Sequence, residues 1–84
     1  MSSLDEIKAR LIRLCEEVPI GTLNDAINQT MDTMDELKVH IAGTNNDALV
    51  QALARMEAGN SKVVDGAVEV VEARDVLWAE AERL

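Results

Sequence analysis

Glu36 and His40 stand one helical turn apart, with Asp32 and Asp35 close by. These are the side chains from which a metal site could be built. Bundle di-metal centres, however, use Glu-x-x-His twice, on facing helices. Here the spacing is Glu-x-x-x-His, and the chain has a single His. The pair therefore reads as an exposed i,i+4 contact. Cys15 is the one thiol, with no His near it in sequence. A nucleophile needs an oriented base, so Cys15 reads as a packed or half-buried side chain. The Ser and Thr residues form no Gly-x-Ser-x-Gly elbow and no phosphate loop. No catalytic, metal or cofactor site is expected, and the chain reads as non-enzymatic.

The stronger signal is spacing. Leu23, Ile27, Thr30, Met34, Leu37 and Ile41 alternate steps of three and four, and so do Leu49, Leu53, Met56, Asn60, Val63, Ala67 and Val70. This is the period of a coiled-coil seam. Folding the chain at Gly43-Thr44-Asn45-Asn46 brings the two ladders together rung for rung. Ile41 meets Leu49, Leu37 meets Leu53, Met34 meets Met56, Ile27 meets Val63 and Leu23 meets Ala67. An earlier stripe of Leu4, Ile7, Leu11, Leu14 and Val18 pairs Leu11 with Leu77, Ile7 with Ala81 and Leu4 with Leu84, after a two-residue slip at Pro19–Thr22.

Local signals set the element ends. Ser3 and Glu6 have capping-box spacing. Pro19 and Gly21 interrupt the first arm, and Thr22 is placed to cap the second helix. Gly43 suits a left-handed stop. Asn45 or Asn46 caps the last helix, whose positive end suits Asp47. The expectation is one all-α domain, 1–84, with helices at about 4–18, 23–42 and 46–83. The fold is an antiparallel helical hairpin with a long C-terminal helix and an N-terminal arm broken near Pro19–Thr22. Glu57-Ala58-Gly59-Asn60-Ser61 is the one stretch that could stop the long helix. Gly66 faces the Pro19–Leu23 break, where a close backbone approach would account for its missing side chain.

The 84 residues allow one small core. A second apolar stripe, Val50, Val64, Val68, Val71 and Trp78, runs beside the seam on the long helix, and Ile12, Cys15, Ala26 and Met31 broaden the other arm. Val50, Val64, Val68, Val71, Trp78, Ile12 and Met31 are therefore the interface candidates. The expected partner is a second copy or another helical protein, in a dimer that forms a four-helix bundle. Thr30 and Asn60 share one rung, and a polar rung sets register.

Sixteen acids against eight bases give a formal charge of -8. Such a chain repels phosphate backbones, so nucleic acid is not an expected partner. No apolar run reaches the roughly 18 residues of a membrane span. The opening Met-Ser-Ser-Leu-Asp-Glu lacks a signal peptide's basic and apolar regions. That predicts synthesis in the cytoplasm and leaves open export by a route without a cleaved signal.

The turn residues Ile41-Ala42-Gly43 and the run Trp78-Ala79-Glu80-Ala81-Glu82 carry a resemblance. With the length and the hairpin plan, they resemble the small Esx-type (WxG) proteins of type VII secretion. Those proteins have Trp-x-Gly at the turn, of which Gly43 alone is matched. They also have an aromatic-x-x-x-acid export motif near the C-terminus, to which Trp78 and Glu82 are similar. Related helical partner proteins accompany secreted actinobacterial toxins. The resemblance implies an adaptor that pairs with a client's helical domain and presents a composite export signal. A different class also fits the charge: an acidic phage or mobile-element inhibitor, antitoxin-like, that binds a basic target.

Leu37 lies mid-seam, where Leu37→Asp sets an unpaired charge against apolar neighbours. In a domain this small and marginal, that unfolds the protein. Circular dichroism should show lost helicity; a variant as helical and heat-resistant as the parent would mean that the seam is misplaced.

Overall fold

The computed structural model describes residues 3–84, so Met1 and Ser2 of the expected domain lie outside the described residues. Three helices follow one another: α1 (Leu4–Glu16), α2 (Ile20–Ile41) and α3 (Asp47–Glu82). No strand is present among the described residues. α1 and α2 each pack on α3 and not on one another. The architecture is an all-helical hairpin whose first arm is interrupted and whose second arm is one helix.

The caps follow the sequence at the N-termini of α1 and α3. Ser3 Oγ accepts from the Glu6 N–H at 3.2 Å, and Asn46 Oδ1 accepts from the Leu49 N–H at 3.2 Å. Each satisfies a donor that the first helical turn leaves unpaired. α1 stops at Glu16, and the Glu17 N–H closes it on Arg13 and Leu14 carbonyls.

Three local expectations are corrected. α2 begins at Ile20, so Thr22 lies inside its first turn and caps nothing; Pro19 precedes the helix without a side-chain cap. Its missing N–H falls where a helix has no acceptor to offer, and its carbonyl accepts from Leu23 at 3.0 Å. Gly43 is not in the left-handed region. The end of α2 is tied instead by Thr44, whose N–H and hydroxyl both donate to the Ile41 carbonyl, at 2.9 and 2.8 Å. A hydroxyl one residue on takes the role expected of the glycine. Finally, Gly66 makes no close approach: a Cβ built there meets nothing within 4 Å.

α3 runs unbroken through Glu57-Ala58-Gly59-Asn60-Ser61. Its 36 residues reach about 54 Å at 1.5 Å per residue, and the whole molecule measures 66 × 19 × 16 Å. The radius of gyration is 19.6 Å, against about 12 Å for a globular chain of this length. Because α1 and α2 follow one another along α3 and pack on nothing else, the hairpin is a single layer two helices across, with both faces open.

Gly59 and Gly66 lie inside α3 with open space at both Cβ positions. Each costs about 1 kcal/mol relative to Ala in a helix interior. Gly59→Ala and Gly66→Ala should each stabilise the fold by about 0.5–1 kcal/mol, read as a higher urea midpoint at unchanged slope. A lower midpoint would reveal a contact that the open space does not suggest.

Candidate functional site

The helix seam is narrow. Cys15, Met34, Leu53, Ala67 and Ala81 are the buried apolar residues, Ala81 being 2% exposed. On α2 the expected ladder is the one facing α3. Met34 is buried and Leu23, Ile27, Leu37 and Ile41 are half-buried, while Thr30 is exposed. On α3 the centre line runs through Leu53, Asn60, Ala67, Arg74 and Ala81, one residue every seven, and each of these is buried or half-buried.

Beside that line lie two rows, and the helices cover only one. Val64, Val71 and Trp78 are half-buried. Met56, Val63, Val70 and Leu77, expected to form the rungs, are exposed, Leu77 by 62%. The same rotation shows on α1. Ile12 is half-buried and Cys15 buried, whereas Leu4, Ile7, Leu11 and Leu14 are 39–56% exposed. The rungs Leu11–Leu77 and Leu4–Leu84 are thus not buried, with Leu84 50% exposed. A pair of single helices has room for one flanking row. The row that contains Trp78 carries the largest apolar side chain, whose burial gains most.

Of the seven interface candidates, Ile12, Val64, Val71 and Trp78 therefore stand at or beside the seam, while Val50, Val68 and Met31 are exposed. Val64, Val68 and Val71 line one groove with Asn24 and Ile27. On the opposite flank of α3, Val70, Ala73, Arg74 and Leu77 form a groove with Leu11, Leu14, Cys15 and Val18. The spacing rule did not find this second groove as a surface, because it assigned those leucines to the interior. Their signal was the excess of apolar rows over what one neighbour can cover.

Thr30 and Asn60 line a common groove with Gly59 and Met56. No hydrogen bond joins them; the Thr30 hydroxyl donates to its own helix at the Ala26 carbonyl, 2.8 Å. Near the C-terminus, Arg74, Trp78 and Glu82 form a file along one helix face. The Arg74 guanidinium sits 5.7 Å from the Trp78 ring centre, within cation–π range. Trp78 Nε1 donates to Glu82 Oε1 at 2.9 Å, and Arg74 Nε donates to Asp75 Oδ1 at 2.9 Å. The Lys38–Glu57 pair, at 3.2 Å, links α2 to α3 but is well exposed, so it contributes at most about 1 kcal/mol.

Among the described residues, no group of three or more His, Cys, Asp or Glu side chains is placed to hold a metal. No helix there is long and apolar enough to cross a membrane. No family model, no curated protein and no solved structure matches this chain.

Arg74→Ala strips the cover from the lone Trp while leaving the helix intact. The emission of Trp78 should move to longer wavelength and its quenching by acrylamide should rise, at unchanged far-UV circular dichroism. Unchanged emission would mean that the guanidinium does not shield the ring.

Proposed function

We propose that this chain is a non-enzymatic helical protein–protein interaction module. The observation behind this reading is the single-layer hairpin with aliphatic rows left open along its length. Stable domains bury apolar faces between two or more layers. A chain that supplies one layer and a long apolar row is built to receive the other layer from elsewhere. Leu4, Ile7, Leu11 and Leu14 repeat at three and four, so a helix is the shape that fits them.

The resemblance to Esx-type proteins gives the module a more specific form, that of a secretion partner or adaptor. The Trp78–Glu82 hydrogen bond supports it, since it holds the two residues of the export-like motif on one surface. The charge of -8 supports the second reading, an acidic inhibitor of a basic target. The two readings part on salt. Apolar seams persist in 1 M NaCl, where exposed charge pairs are screened within about 3 Å.

Cross-linking through Lys8, Lys38 and Lys62 in the producing cells, followed by mass spectrometry, tests the module. A complex with itself or with another helical protein that survives 1 M NaCl is the expected outcome. A complex released by salt favours the acidic inhibitor. A chain that forms no complex of either kind would sink both.

A further inference from the structure

The face built from Leu4, Ile7, Leu11, Leu14, Val70 and Leu77 points to its own occupant. We propose that a second copy of this chain packs on it in the same direction, about a two-fold axis along the hairpin, so that α1 of each copy lies on α3 of the other. This rests on the interaction-module reading and makes it specific.

Three observations support the second copy. The first is area. The chain exposes 6624 Å², and a globular monomer of its mass exposes about 4,900 Å². The excess, about 1,700 Å², falls in the range of about 1,000–2,500 Å² that each partner of an obligate homodimer covers. The second is charge. Residues 7–15 hold Lys8, Arg10 and Arg13 and no acid, whereas residues 69–82 hold Glu69, Glu72, Asp75, Glu80 and Glu82 against Arg74. Among the described residues, none of the three α1 cations forms an ion pair within the chain. Laying α1 on the partner's α3 sets this positive stretch on the negative one, and around the four helices every neighbour then differs in sign.

The third observation sets the direction. Away from the turn, the leucines of α1 meet Val70 and Leu77 of α3. Toward the turn the face stays apolar on α3, at Met56 and Val63, but on α2 Gln29, Thr30 and Thr33 join Ala26 in the groove. Opposed copies would press the α1 leucines onto those polar side chains. Copies running the same way set them on Val70 and Leu77 instead, and the contact is isologous, as a two-fold requires.

Sedimentation equilibrium of the purified full chain should give twice the 9.2 kDa chain mass. Leu11→Glu with Leu77→Glu should halve it while helicity persists, because both positions are exposed in the single chain. Val68→Glu, on the opposite flank, should leave the dimer unchanged. An Asn45→Cys spin label at the turn, in a Cys15→Ser background that keeps nearly the same side-chain size, reports direction from outside the face. Labels at the two turns should lie within about 30 Å, given helix axes about 10 Å apart. A monomeric chain, a dimer indifferent to the double substitution, or turn labels separated by nearly the 66 Å molecular length would each overturn the proposal. If the chain is monomeric yet cross-links to a different helical protein in cells, self-pairing fails and the interaction-module reading stands.

Discussion

Everything in this fold depends on one shared contact line, along which two successive helices lean on a third. Among the described residues α3 is the one helix with two neighbours, and α1 and α2 each pack on α3 alone. Each short helix therefore buries a single strip. Most side chains stay at least partly wet, and no large side chain is completely enclosed. Stability of this kind is spread thin over a long line, since no cluster is deep enough to dominate.

The same line explains why α3 tolerates two glycines. A helix held on one side by α2 and then by α1 is supported along its whole length, so local weakness at Gly59 is bridged by tertiary packing. The interruption at Glu17–Pro19 falls on the other arm, away from the Gly59 region. Asn60 and Arg74 on the α3 centre line keep the seam from being wholly apolar. Ala67 and Ala81 let the helices approach closely there, and they are among the most buried residues of the chain.

The surface results from the geometry of the seam. On α3 three adjoining rows are rich in apolar side chains, and two helices side by side can use the centre and one flank. The unused flank of α3 and the leucine stripe of α1 meet on the same side of the layer. That makes the apolar surface continuous between the arms, a property that neither helix has alone. Charge is likewise split between arms, basic in the middle of α1 and acidic in the far half of α3. A single layer displays both without neutralising either.

Periodicity determined the three helices, the turn at Gly43–Asn46, the α2 ladder and the cap at Ser3, and narrowed the last cap to Asn45 or Asn46, because these depend on spacing of three and four and on side chains within one helical turn. It also placed Trp78 and Glu82 on one face. It missed the cap at Thr44, since a Gly beside it offered the more familiar signal. The rotation of α1 and the far half of α3 lay beyond it. Leu11 and Ile12, or Leu77 and Trp78, belong to neighbouring rows about a quarter of a turn apart, and a sequence weighs both rows alike. Only packing in three dimensions chooses between them, because burying one row about a common axis turns the other to solvent.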